Sequence, residues 1–270
     1  MKYITRELEK VVSQVAKEYP VVLVTGPRQV GKTTMLLKLM EGTDRRYVTL
    51  DDLNERSMAK TDPELFLQLH KPPVLIDEVQ YAPELFTYIK VHVDKSHDPG
   101  AFWLTGSQVF KLMRGVQESL AGRVAVLSLT SLSQAEIYGG APEPFTVDLE
   151  ALAVRSEAGK EADTEEIFAR IYRGSMPAIV SGAKSSSQIF YGSYLSTYME
   201  RDVRELSEAI DSLKFHRFMT AVAARCGQML NVADMARDAD INQQQAKSWL
   251  GILETLGIIF YLHPYSNNML

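Results

Sequence analysis

The segment from Gly26 to Thr33 has residue types and spacing suited to binding a triphosphate. It fits the pattern G-x-x-x-x-G-K-[ST], which curls the backbone so that its N–H groups face an anion. We predict that Lys32 reaches the β- and γ-phosphates as a point charge and that the Thr33 hydroxyl ligates Mg²⁺. The predicted nucleotide-binding residues are Gly26, Pro27, Arg28, Gln29, Val30, Gly31, Lys32, Thr33 and Thr34.

Two adjacent carboxylates end an apolar run downstream, Val74-Leu75-Ile76-Asp77-Glu78. Side chains alternate along a strand, so Asp77 and Glu78 should point in different directions and do different work. We predict that Asp77 holds Mg²⁺ and that Glu78 orients and polarises an attacking water.

Further candidates could act on the charge that develops during phosphoryl transfer. Ser107, with Thr105 next, closes another apolar run and could sense a γ-phosphate, although ordinary turn chemistry explains it too. A cation is also required. Arg123, acting on a neighbouring subunit, is the predicted catalytic arginine, and Arg201 is the alternative; either could instead form a surface ion pair.

Short apolar runs alternate with helical patterns over the first half of the chain, which predicts a parallel α/β sheet covered by helices on both faces. The predicted strands are 21–24, 47–50, 74–76, 102–104 and 124–127. The strand at 47–50 lies between the phosphate loop and the acidic strand. This order is typical of the inserted-strand branch of P-loop proteins, in which a glutamate activates water. No N-K-x-D segment is present, so ATP is favoured over GTP.

The chain divides by pattern into a P-loop core at 1–140, a linker or excursion at 141–166, a helical lid-like segment at 167–210 and a winged-helix-like domain at 211–270. The winged-helix prediction depends on two segments with helical spacing of apolar residues, Val232 to Ala236 and Ala246 to Leu253. An apolar segment that looks extended, Ile258 to Leu262, follows them. Polar residues from Asn242 to Lys247 could read DNA bases. Because 211–270 holds five basic and five acidic residues, a structural role or contact with a protein is favoured over contact with DNA.

Composition indicates an ordinary globular protein. The net charge of -5 gives no general basic surface, and the single cysteine, Cys226, suits a reducing compartment. The first residues lack the apolar core of a signal peptide, and no apolar run approaches the ~20 residues of a membrane helix. We therefore expect a cytoplasmic protein without a membrane partner.

Taken together, these motifs resemble those of a bacterial and archaeal family of AAA-like ATPases, and the likeness covers most of the chain. It is carried by the segments 26–34, 47–52, 75–80, 104–107, 120–123, 173–177 and 198–202. The resemblance implies an N-terminal ATPase domain and a C-terminal domain of unknown function, often described as nuclease-like. Since the chain ends at Leu270, the resemblance leads us to expect a truncated protein.

The leading hypothesis is a Mg²⁺-dependent ATP-hydrolysing switch or motor, which could work as a homo-oligomer or on a protein partner. The alternatives are an ATP-binding, DNA-associated regulator with little turnover and a small-molecule kinase. Glu78 suits water as the nucleophile better than a metabolite hydroxyl, and this argues against the kinase.

Overall fold

A computed structural model describes residues 3–107, 109–139, 146–158, 162–199, 203 and 211–263. Its centre is a five-stranded parallel sheet with the order β2-β3-β4-β1-β5. The strands are β1 Val21–Thr25, β2 Arg46–Thr49, β3 Val74–Asp77, β4 Phe102–Thr105 and β5 Val124–Ser128. The predicted α/β class and all five predicted strands are confirmed.

Helices cover both faces of the sheet because β1, β3 and β4 are apolar on both sides. The first helices are α1 Leu8–Val15, α2 Lys32–Met40, α3 Leu53–Thr61, α4 Pro63–Leu69, α5 Leu85–Ser96, α6 Val109–Ser119 and α7 Gln134–Tyr138. Val22, Val24 and Leu75 face a core shared with α1 and α2. Leu23 and Ile76 face a second core shared with α3, α4, α5 and α6. The result is a three-layer sandwich.

The second half of the chain is helical. Its helices are α8 Leu149–Ala158, α9 Thr164–Arg173, α10 Pro177–Val180, α11 Ser187–Tyr194, α12 Ser212–Ala223, α13 Val232–Asp238 and α14 Gln243–Thr255; a π-helical turn, Leu195–Met199, follows α11. Helix α8 lies inside the segment 141–166, which we predicted to be a linker or an excursion. Its first-turn Glu150 and last-turn Arg155 match the helix dipole.

The last three helices form a bundle around Trp249, with Phe215 and Phe218 edge-on to its ring. Trp249, Leu250 and Leu253 are buried, as predicted. Residues 258–263, however, form no strand, and 264–270 lie outside the described residues. The winged-helix prediction is therefore not confirmed. Asn242, predicted to read bases, caps α14 by accepting a hydrogen bond from the Gln245 N–H at 2.8 Å.

Across the described ranges, no helix combines the length and the apolar character needed to cross a membrane.

Candidate nucleotide-binding site

The turn between β1 and α2 has a backbone shape that only small residues permit at two points. Gly26 has φ +135°, and a Cβ there would lie 2.0 Å from the carbonyl oxygen of Leu129. Gly31 has φ +94° and directly precedes α2. Gly26 therefore lets the loop lie against Leu129, the residue after β5, and Gly31 turns the loop into the amino end of a helix, where backbone N–H groups attract anions.

Lys32 begins α2 and is only 6% exposed, yet it lines the cavity beside the loop. Its ammonium donates to the carbonyl oxygens of Gly26 at 2.9 Å and Pro27 at 2.8 Å. These contacts fold the lysine back over the loop and hold its charge beside the cavity.

A buried arginine near the start of the chain, Arg6, contacts the phosphate loop through a backbone carbonyl group. Arg6 donates to the Val30 carbonyl at 2.8 Å and to the Thr130 carbonyl at 2.8 Å, and it pairs with Glu136 at 2.9 Å. The Arg6 and Glu136 side chains are each 5% exposed. Arg6 thus ties the phosphate loop to the segment that follows β5.

We expect Arg6→Met to lower the free energy of unfolding by about 3–5 kcal/mol, because it leaves the Glu136 carboxylate buried without its cation. Urea denaturation at pH 7 measures this loss. Arg123→Met is the matched control: it breaks an exposed arginine–aspartate pair and should change stability little. Similar losses in both variants would contradict the structural role of Arg6.

The same pair should make stability depend on pH. Burial by itself would raise the pKa of Glu136, but the Arg6 guanidinium and the Ser133 and Glu7 N–H donors outweigh it and hold the pKa below its ordinary value. A depressed folded-state pKa stabilises the protein above the unfolded value, about 4.5, and this contribution is lost as the pH falls. The Arg6→Met variant should therefore lose less stability between pH 7 and pH 4 than the wild type.

Three hydroxyl groups contact the Asp77 carboxylate. Thr33 Oγ1 lies 3.0 Å from both carboxylate oxygens, and the Tyr47 phenol donates to Oδ2 at 3.2 Å. The Thr105 hydroxyl donates to Oδ1. The structure therefore brings together the two predicted Mg²⁺ ligands, Thr33 and Asp77, at the carboxyl ends of the strands.

Tyr47 on the edge strand β2 keeps its proton at this site. Burial raises the pKa of its phenol, and the neighbouring Asp77 carboxylate raises the pKa further. The phenol therefore remains a hydrogen-bond donor to Asp77 at all ordinary pH values.

Glu78 leaves β3 with a left-handed backbone, φ 55° and ψ 42°. Glu78 therefore lies outside the regular strand, and its side chain contacts different groups from those that contact Asp77. Its Oε2 accepts a hydrogen bond from the Gln80 amide and lies 3.4 Å from Ser107 Oγ. The structure therefore places Ser107 beside Glu78, and both residues line the cavity that borders the phosphate loop.

That cavity has a volume of about 980 Å³ and lies between the loop and the helical second half of the chain. The loop side contributes Arg28, Gln29, Gly31, Lys32, Thr33 and Thr34. The opposite wall includes Pro177, Lys184, Ile189, Phe190 and Tyr194. The loop wall is therefore polar and partly cationic, while the other wall combines apolar and aromatic side chains with Lys184 and several hydroxyl groups.

The predicted catalytic arginine does not reach this cavity. Arg123 precedes β5, and its carbonyl accepts a hydrogen bond from the Val21 N–H at the beginning of β1. The phosphate loop follows the other end of β1, about 13–16 Å away at the rise of a parallel strand. Arg123 pairs instead with Asp94 on the surface. Action on a neighbouring subunit stays a prediction, and Arg201 lies outside the described residues.

Sequence reasoning missed three residues at this site: Arg6, Tyr47 and Gln80. Arg6 and Tyr47 are distant in sequence from the groups they contact. Nothing in the local pattern marks Arg6, whereas Tyr47 begins the segment 47–52 that carried part of the family resemblance. Gln80 lies only two residues after Glu78 in the segment 75–80 that carried the family resemblance, so its position was a usable signal.

Two domain families match this chain. Residues 18–138 match the model of an AAA domain, and residues 164–270 match a domain of unknown function, DUF8612. The uncharacterized proteins Rv2008c of Mycobacterium tuberculosis and Mb2031c of Mycobacterium bovis are each 31% identical over 253 residues. The alignment covers 93% of this chain and 51% of each relative, so the chain spans about half the length of these relatives.

A solved structure shares the fold. The Walker-type ATPase PABY2304 of Pyrococcus abyssi superposes with a TM-score of 0.57 at 15% identity, covering 94% of this chain and 90% of that one. At this identity the likeness concerns the fold alone. The AAA-domain match covers the parallel sheet and the phosphate loop, so residues 18–138 of this chain form an AAA-like P-loop ATPase domain.

Proposed function

We propose that this protein binds ATP with Mg²⁺ and hydrolyses it, using Lys32 and Thr33 for the phosphates and metal, Asp77 for the metal and Glu78 for the water. The observation that carries the proposal is the contact of Thr33 with Asp77 directly below the phosphate loop, while Glu78 lines the same cavity. The AAA-domain match supports nucleotide binding, and residues of this chain supply groups for the phosphates, the metal and the attacking water, while the source of a catalytic arginine stays a prediction.

The groups around Asp77 fit a magnesium ion. Mg²⁺ prefers oxygen ligands and usually keeps several of its waters, binding proteins through one or two side chains and the phosphates. The Thr33 hydroxyl and the Asp77 carboxylate are such oxygens, and they already lie within 3.0 Å of each other. A bound Mg²⁺ would neutralise charge on the phosphate oxygens, while Tyr47 and Thr105 keep the Asp77 carboxylate oriented.

Each remaining group has a separate task. Lys32 and the first turn of α2 hold the phosphates, because the ammonium and the helix amino end both attract negative charge. Glu78 accepts a hydrogen bond from the attacking water and takes its proton. Ser107, next to Glu78, is placed to donate a hydrogen bond to the γ-phosphate or to that water.

The contacts of the loop support a switch that links nucleotide state to the helical half. The Tyr194 hydroxyl in α11 lies 3.5 Å from the Arg28 carbonyl oxygen. Gly257, just after α14, lies so near Pro27 that a Cβ there would be 2.9 Å from the proline Cγ. A change in the conformation of the loop on hydrolysis would therefore alter its contacts with two helical segments, α11 and the turn after α14.

Phosphate release from ATP by the purified chain tests the proposal. We expect multiple turnovers that require Mg²⁺ and stop with EDTA, and GTP should be the poorer substrate. Single-turnover reactions with and without duplex DNA distinguish a switch from a DNA-associated regulator. Tight ATP binding without turnover in either condition would overturn the hydrolytic function and favour the regulator.

A further inference from the structure

The Gln80 side chain contacts Glu78, and the proposed hydrolysis assigns no role to this contact. It lies in the short 3₁₀ turn Val79–Tyr81 that follows Glu78, and it is 6% exposed. Its side-chain N–H group donates to Glu78 Oε2, the same oxygen that lies near Ser107. Two donors therefore converge on one oxygen of the glutamate.

The other end of the Gln80 amide is unsatisfied. Its Oε1 is buried and accepts no hydrogen bond from any described residue. A buried, unpaired carbonyl oxygen destabilises the folded protein, and reversing the amide would only turn that oxygen towards the Glu78 carboxylate. An apolar side chain of similar length would suit this buried position better, so the stability of the fold does not explain the glutamine.

The end of β4 leaves room for this amide. Gly106 directly precedes Ser107, and a Cβ on Gly106 would lie 2.3 Å from Gln80 Oε1 and 2.5 Å from Leu112 Cδ1. Any larger residue at position 106 would push the amide away from its place. The absence of a side chain at Gly106 thus allows Gln80 to reach Glu78.

We propose that Gln80 is a positioning residue for hydrolysis, an inference that rests on the proposed function of Glu78. Its amide holds Glu78 Oε2 beside Ser107, which leaves Oε1 as the oxygen that accepts the proton of the attacking water. The side chain touches neither nucleotide nor water itself. It restricts the carboxylate to one direction, and correct direction is worth a large factor in rate.

The decisive variant is Gln80→Met, which keeps the length of the side chain and removes the amide. We expect kcat to fall by about 10- to 100-fold while KM and the Kd of a fluorescent ATP analogue stay within about twofold. The free energy of unfolding should be unchanged or higher, because the unsatisfied oxygen is gone. A loss of stability that parallels the loss of rate, or an unchanged kcat, would overturn the proposal.

A double-mutant cycle tests whether Gln80 acts through Glu78. In single-turnover reactions Gln80→Met should slow the wild type but leave the residual rate of Glu78→Gln unchanged. If Gln80→Met slowed the wild type and the Glu78→Gln variant by the same factor, Gln80 would not act through Glu78.

Two further variants test whether the position of the Gln80 amide controls the rate. Gly106→Ala leaves Gln80 intact but displaces it, so it should reproduce the low kcat even if Gln80→Met does not fold. Trp103→Phe is the control: it removes another buried unpaired group, the indole N–H, and should keep kcat. A wild type without turnover overturns the proposed function, whereas an active wild type whose Gln80→Met and Gly106→Ala variants keep their kcat overturns only the role of Gln80.

Discussion

Lys32→Ala is expected to weaken ATP binding by about 100-fold or more, equivalent to about 2.7 kcal/mol. The reason is that Lys32 supplies a buried charge at the loop, and charge-assisted hydrogen bonds to phosphate are among the strong ones. Isothermal titration with a non-hydrolysable ATP analogue and Mg²⁺ measures the effect, and hydrolysis should disappear with binding.

Lys38→Ala is the matched control for this prediction. Lys38 belongs to the same helix, α2, but lies in its last turn, is largely exposed and pairs with Glu41 at 2.5 Å. We expect wild-type binding and turnover from it. If Lys32→Ala bound the analogue as tightly as Lys38→Ala does, the loop between β1 and α2 would not be the phosphate site.

Glu78→Gln is expected to separate binding from chemistry. The amide has the same shape as the carboxylate but cannot take a proton from water, so kcat should fall by about 10²- to 10⁴-fold while the Kd for ATP changes little. Rapid-quench measurement of bound ATP and ADP in a single turnover reports the chemical step directly, and ATP should accumulate on the variant.

Glu41→Gln provides the corresponding control, because Glu41 follows α2 and is 64% exposed. It should hydrolyse ATP at the wild-type rate. An equal loss of binding in Lys32→Ala and Glu78→Gln would contradict the division of roles between phosphate binding and water activation. A Glu78→Gln variant with wild-type kcat would assign water activation to another residue.

The helical half of the chain shows where local patterns are weak guides. The segment 141–166, predicted to be a linker or an excursion, contains the helix α8. The stretch from Ile258 to Leu262 is apolar and β-branched in part, but residues 258–263 form no strand. A lone apolar segment becomes a strand only where a neighbouring strand satisfies its backbone, and sequence pattern cannot show whether such a partner exists.

The sequence alone was enough to predict the five strands of the parallel sheet, the phosphate loop after β1 and the strand that ends in Asp77. These features follow from local rules: continuous apolar runs must be buried on both faces, glycines permit the left-handed turn, and parallel strands bring their carboxyl ends to one edge. The contact of Thr33 with Asp77 follows from the same rules, because β3 and the loop both end at that edge.

Only the tertiary structure decided which side chains support that site and which do not reach it. Arg6 contacts Val30 and Thr130 across long sequence separations, and Tyr47 reaches Asp77 from the edge of the sheet. Arg123 lies at the opposite end of the strands, although its sequence context resembled a catalytic one. Such contacts depend on strand order and on three-dimensional distance, which residue spacing along the chain does not encode.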